Sequence, residues 1–296
     1  ARGAKTPGER ESLRNDMAEL LRNPAQRTIH EDLTLALAQS ALVDKLYPEA
    51  EQHARQLIEL YPGSALKSAA LGVRLAVAWD LKRYRTAADI AGQLRAVITD
   101  ARERAELGVL LAEAFFRSED YKNAGDAYAA ALHELPAVVP AGTLIFQRVL
   151  ADIRAEQLES AAKQLDEAAN TPGFDAVSRW QAEWNLVKEM QVRGQTAPAQ
   201  ARVEQLLAAG TTGVPDDLRI RLMWLRAKLS FESDQFEVAL RQTDELLALV
   251  GKGGQADEAL RQNITSTAQL LKAQALLNLN REPEGLAMLD QLRADF

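Results

Sequence analysis

Two short stretches carry side chains suited to gripping a partner: Trp184 with Lys188, and Trp224 with Lys228. In each, a lysine follows a tryptophan four residues later, so on a helix the indole and the ammonium share a face. Such a pair sets an apolar anchor beside a cation, a combination that holds an apolar side chain next to a carboxylate. Arg221 adds a cation ahead of Trp224, inside the run Arg219, Arg221, Arg226 and Lys228, which otherwise reads as solvated surface. Catalytic groups are harder to assemble. The three histidines, His30, His53 and His133, lie far apart and read as bystanders. Cysteine is absent, which removes thiolate chemistry, disulfides and cysteine zinc sites. No HExxH, GxSxG, P-loop or GxGxxG context is present. The abundant carboxylates suit a solubilising role. The residues point to binding without catalysis and imply no cofactor and no metal.

The composition says what must position these residues. Of 296 residues, 47% are hydrophobic and 26% charged, which describes a folded chain and not a disordered one. Ala, Leu, Glu, Gln and Arg dominate, and these favour helix. No alternating strand pattern stands out. The net charge of -7 sets the average surface against a phosphate backbone, so no nucleic-acid partner is expected. No apolar run approaches the ~18 residues of a membrane span. The chain opens Ala-Arg-Gly-Ala-Lys and stops at Leu292-Arg293-Ala294-Asp295-Phe296, which reads as an interrupted motif. It is therefore taken as a piece of a longer protein or a processed form.

One pattern recurs along the chain. An aromatic or large apolar residue is followed three residues later by Ala, then by apolar residues at four and seven further on. It appears as Tyr47, Ala50, Ala54, Leu57, and again as Tyr84, Ala87, Ala91, Leu94. Two more copies are Tyr121, Ala124, Tyr128, Ala131 and Leu158, Ala161, Leu165, Ala168, so the small residue returns every 37 positions. Later copies are Thr196, Ala199, Val203, Leu206, then Phe236, Ala239, Thr243, Leu246, then Gly285 with Leu289 and Leu292. Their intervals stretch to 38, 40 and 46. The extra residues are expected in loops, around Gly210-Thr211-Thr212-Gly213 and Gly251-Lys252-Gly253-Gly254. Offsets of zero, four and seven make one helical stripe, and the small residue lets two helices approach closely. A first helix precedes each copy, near 29–43, 66–81, 102–117, 141–155, 178–193, 216–232 and 258–279. Second helices close near Pro62, Pro136, Pro172 and Gly251. Leu13, Met17 and Leu20 form a lone helix before Asn23-Pro24.

The stretch from Ala112 to Ala124, continuing through Tyr128 and Ala131 to Pro136, resembles the tetratricopeptide repeat (TPR) family. It carries the family's small first-helix residue (Ala112), its aromatic (Phe115), the turn Tyr121, the contact Ala124 and the closing Pro136. Ala38, Ala227 and Ala273 fill the Ala112 place elsewhere. The spacing of 37 exceeds the family's usual 34, and the fourth and fifth copies lack the turn aromatic. The resemblance implies an all-α, right-handed α-α superhelix: an N-terminal partial repeat over 1–28, then about seven hairpins over 29–296. Their approximate bounds are 29–64, 65–101, 102–138, 139–173, 176–212, 215–251 and 256–296. Residues 57–64, and the end at 292–296, are similar to repeats of bacterial envelope proteins such as outer-membrane assembly lipoproteins and periplasmic Tol–Pal coordinators. That likeness favours a periplasmic or cell-envelope location.

In this family the first helices line a concave groove that takes a partner peptide or helix. By that resemblance Gln181, Trp184, Lys188 and Gln191 face the groove from the fifth repeat, and Arg221, Trp224, Lys228 and Phe231 from the sixth. Trp79, Glu113, Phe116, Phe146 and Arg154 fall on the same nominal face. A second reading stays open: the family buries a tryptophan one position earlier, so a shift of one residue sends Trp184 and Trp224 into the core, and Phe116 and Phe146 suit core packing as well. The set of Lys, Asn and Arg that clamps C-terminal peptides is absent. The leading expectation is a non-catalytic protein-binding scaffold in a bacterial multi-protein assembly. Two alternatives stand beside it: a regulatory or anchoring module of a larger enzyme or membrane protein, and a glycan-binding solenoid. The seventh copy's unfinished apolar end suggests self-association there.

Overall fold

A computed structural model describes residues 6–23, 28–134, 137–210, 213–252 and 256–295. Among them lie fifteen helices: α1 (Pro7–Leu21), α2 (His30–Val43), α3 (Tyr47–Leu60), α4 (Lys67–Asp80), α5 (Tyr84–Val97), α6 (Ala101–Arg117), α7 (Tyr121–Leu132), α8 (Ala141–Arg154), α9 (Leu158–Glu167), α10 (Ala176–Val192), α11 (Thr196–Ala208), α12 (Asp216–Glu232), α13 (Phe236–Gly251), α14 (Glu258–Asn278) and α15 (Glu282–Asp295). No described residue is in a strand. The chain divides into two compact units, Ala1–Pro140 and Ala141–Phe296.

In each unit consecutive helices pack as hairpins, α2 on α3 through α6 on α7 in the first and α8 on α9 through α14 on α15 in the second. The small residues explain why. Ala50, Ala87, Ala124, Ala161, Ala199 and Ala239 have no exposed surface, and neither do Ala38, Ala112, Ala227 and Ala273 on the first helices. At Gly285 a Cβ would lie 3.2 Å from the Ala273 carbonyl oxygen and 2.9 Å from the Leu277 side chain, so the last hairpin packs tightly where glycine replaces alanine.

A shared turn closes every hairpin. Lys45, Lys82, Glu119, Glu156, Gly194, Asp234 and Asn280 stand two residues before each second helix, with φ between 56° and 73°. The amide after each donates to a carbonyl five residues back, at 2.8–3.0 Å, as Leu46 does to Ala41 and Arg83 to Ala78. This is the Schellman closure of a helix C-terminus, normally made with glycine. Only Gly194 supplies one here. Over three of these turns an aromatic ring packs edge-on against the ring five residues later: Trp79 on Tyr84, Phe116 on Tyr121 and Phe231 on Phe236, with centroids 5.5, 5.4 and 5.3 Å apart.

The longest late repeat departs from the sequence expectation by lengthening its first helix: α14 has 21 residues, against 17 in α6, α10 and α12. Gly210 and Gly213 stand in the connection between α11 and α12, where the sequence expects extra residues. Asp257 explains where α14 begins, because its carboxylate caps Leu260 N at 3.1 Å while its own amide donates to Asp217 Oδ1. Gly251 ends α13 from inside the helix, and α11 stops at Ala208 ahead of Gly210 and Gly213, which take φ of 98° and 76°. Pro24, Pro136, Thr211, Thr212, Gly253, Gly254 and Phe296 lie outside the described residues.

In the first unit α1 is a capped helix, with Thr6 and Glu9 bonding each other's backbone. It docks on α2 through buried Met17 and through Arg10 and Arg14, both paired with Asp44. The two guanidiniums hold the Asp44 carboxyl below its ordinary range.

Candidate protein-binding face

In the second unit the first helices α8, α10, α12 and α14 are neighbours in that order. Phe146, Trp184, Trp224 and Leu270 each stand fifteen residues before the small residue of their hairpin, so they share one register position. None is core: the three aromatics are half-buried, and Leu270 is 44% exposed. The buried tryptophan of this region is Trp180, one turn earlier. Trp224 rests against the cluster of Ile220, Leu246, Val250 and Ile264.

Above this row stand the cations. Lys228 Nζ lies 5.3 Å from the centre of the Trp224 ring and 3.6 Å from Glu232 Oε1. Lys188 donates to Gln191 Oε1 at 3.0 Å, and Gln191 in turn donates to Glu232 Oε1 at 2.8 Å. Burial, with Lys228 as a repelling neighbour, holds the Lys188 ammonium below its usual range. Thus Lys188, Trp224 and Lys228 come together on α10 and α12. Trp184 is on the same helix as Lys188, one turn away. Arg221 is half-buried.

The two phenylalanines assigned to this face by the sequence fall one in each unit. Phe116 lies in the first unit, where its ring is taken up by Tyr121. Phe146 belongs to the row but carries Leu150, not a lysine, one turn on. In the first unit Arg117 lies over both Trp79 and Tyr84 at 5.5 Å, bonded to Glu113, which also accepts from the buried Tyr128 hydroxyl. Burial pushes that phenol upward.

The reading of the basic run as solvated surface is corrected at Arg226. It reaches Glu204 on α11 at 2.7 Å and Glu245 on α13 at 2.9 Å, tying three helices together. Arg202 does the same one repeat earlier. Its guanidinium donates to both oxygens of Glu183, to Asp166 Oδ1 at 3.1 Å and to the Ala162 carbonyl at 3.3 Å. Glu183 is 1% exposed, and burial pushes its carboxyl up against the pull of Arg202. Sequence reasoning missed this pair. A signal existed: Arg202 stands three residues after Ala199, on the apolar stripe, where Gln164 and Gln242 stand after Ala161 and Ala239.

These features make each unit an array of α-helix hairpins, and in the second unit the first helices carry an aromatic row with Lys188 and Lys228 on α10 and α12. No family model matches the chain, and no curated protein matches it. Solved structures similar to it include a tetratricopeptide repeat protein from Parabacteroides merdae, at 12% identity and a TM-score of 0.42 over 89% of this chain and 92% of that one. The apo form of RapI shares 9% identity at a TM-score of 0.47, covering 94% of this chain and 80% of its own. The nearly identical TPR-like repeats of a putative kinesin light chain from Podosopora anserina share 18% at 0.43, covering 67% and 96%. The hairpin assignment rests on this chain's own turns and packing.

Proposed function

We propose that this chain is a non-catalytic scaffold that binds a partner protein across the first helices of the second unit, at Trp184, Lys188, Arg221, Trp224 and Lys228. The observation that carries the reading is the Lys228 ammonium over half-buried Trp224, with Lys188 as its neighbour on the adjacent first helix that also bears half-buried Trp184. Aromatic and cationic side chains held on rigid helices supply contact area at low entropic cost. Function as part of a bacterial multi-protein assembly in the cell envelope is supported by the likeness of residues 57–64 to envelope repeats. The test is affinity capture from the native host with the intact protein beside a Trp184→Ala, Trp224→Leu variant. Leucine keeps an apolar side chain at Trp224, which also supports the core. Partners lost from a variant with unchanged melting support the proposal. Partners retained by the folded variant contradict this site, and an intact protein that captures nothing contradicts the scaffold.

The exposed Leu286 on α15 favours self-association through that hairpin as well. Sedimentation equilibrium over a concentration series tests it: a mass constant at 32.5 kDa contradicts it.

A further inference from the structure

The seam between successive second helices changes character at the last hairpin. Arg226 on α12 braces the seam before it, holding Glu204 on α11 and Glu245 on α13. Gln242 on α13 donates to the same Glu204 at 3.1 Å. One repeat on, the matching positions read differently. Lys272 stands in the place of Arg226, thirteen residues before the small residue, and bonds Asp244 on α13 at 2.5 Å. Gln291 takes the place of Glu245, and Met288 that of Gln242. Gln291 offers no charge to complete the brace onto α15, and a cavity of about 430 Å³ stands open there, within the size range of small-ligand sites.

Three helices line this cavity, whereas those along α1 and α3 are lined by one helix each. Leu240 on α13, Leu276 on α14 and Met288 on α15 supply apolar surface. With them stand two carboxylates, Asp244 and Glu284, and two cations, Lys272 and Arg281. Arg281 grips Glu284 through two bonds, at 2.6 and 2.8 Å. The two ion pairs sense each other. The Arg281 guanidinium is held up first by its bond to Glu284 and then by Asp244, and the Glu284 carboxyl is held down first by Arg281 and then by Lys272. The signs therefore alternate from one neighbour to the next. Asp244, Arg281 and Glu284 are each at least 44% exposed, and ion pairs this exposed add little stability. A ligand carrying both charges can exchange into them at small cost, while a ligand with one charge leaves a pair unbalanced.

We propose that this cavity binds a free α-amino acid with a large apolar side chain. Its ammonium lies between Asp244 and Glu284, its carboxylate between Lys272 and Arg281, and its side chain on Leu240, Leu276 and Met288. The site is separate from the tryptophan row: Lys272 and Leu276 follow Leu270 by two and six residues, which sets them on the other side of α14. Bound there, the amino acid ties α15 to α13 and α14.

Isothermal titration of the intact chain with leucine, methionine and phenylalanine tests this. At least one should bind at a single site and slow amide exchange in α15. Its N-acetyl and amide forms, each lacking one charge, should bind at least about tenfold more weakly. Arg281→Gln and Glu284→Gln should weaken binding by about as much, with melting unchanged because both side chains are exposed. Met288→Trp should fill the cavity and abolish binding, and the two exposed variants decide alone if it fails to fold. No saturable binding of any of the three up to about 10 mM overturns the proposal. So does binding that the capped forms share equally, or that survives Arg281→Gln and Glu284→Gln, or a folded Met288→Trp, unchanged.

Discussion

Glu183 and Arg202 show how much a single pair carries at the residue scale. Glu183 is 1% exposed, and Arg202 links it to Asp166 and the Ala162 carbonyl across α9, α10 and α11. Removing one partner of a buried ion pair leaves the other charge uncompensated, at a cost of about 3–5 kcal/mol. Glu183→Ala is therefore expected to destabilise the second unit by about that amount in chemical denaturation, and the double change Glu183→Ala, Arg202→Leu to recover much of it. Gly142 is constrained by space. A Cβ there would meet the Gly173 carbonyl oxygen at 2.0 Å and the Phe174 Cα at 2.8 Å, all backbone. Gly142→Ala should cost about 1–3 kcal/mol or more, read from the same denaturation curve. Neither position stood out in the sequence. A lone charge on an apolar stripe looks like an ordinary interruption until its partner, nineteen residues away, is known. The close approach at Gly142 depends on a loop that local patterns do not place.

Among elements, the hairpin turn is the recurrent device and the least legible one. The helix positions follow from the stripe of Ala50, Ala54 and Leu57 and its later copies, and the expected first helix at 216–232 matches α12 residue for residue. The turn gives no composition signal, because Lys, Glu, Asp, Asn and Gly all take the same left-handed place. That conformation costs a residue with a Cβ about 1–2 kcal/mol. Gly194→Ala is expected to lower stability by about 1 kcal/mol, seen as a reduced melting temperature. The α1 helix depends on pH. Asp44 has a folded value depressed below 3.8 by Arg10 and Arg14, so its contribution is complete above that value and is lost as pH falls through the depressed one. Amide exchange in Pro7–Leu21 should rise relative to that of α3 on acidification below about pH 4 and be insensitive to pH between about 5 and 7. Equal acceleration of both helices would contradict local undocking.

For the whole molecule, a hairpin array gains stability from nearest neighbours, so damage stays local before it spreads. Glu183→Ala should speed exchange first in α9, α10 and α11 and last in α14 and α15. The period of 37 announced this architecture because every repeat must bury the same small residue. The binding face was only partly legible. Register placed Trp184, Lys188, Trp224 and Lys228 on one nominal surface, but the sequence left core and surface as alternatives for the indoles. The half-burial of Trp224 comes from packing against a cluster drawn from α12, α13 and α14, which residues up to forty positions away supply.

The most direct measurement is site-specific photocrosslinking in the native host, with a photoreactive residue at exposed Gln181 on α10 and, as control, at exposed Gln205 on α11. A protein adduct formed from position 181 and not from 205, and lost on Trp184→Ala, is the result expected of a first-helix binding face. Adducts from 205 with none from 181 would contradict it.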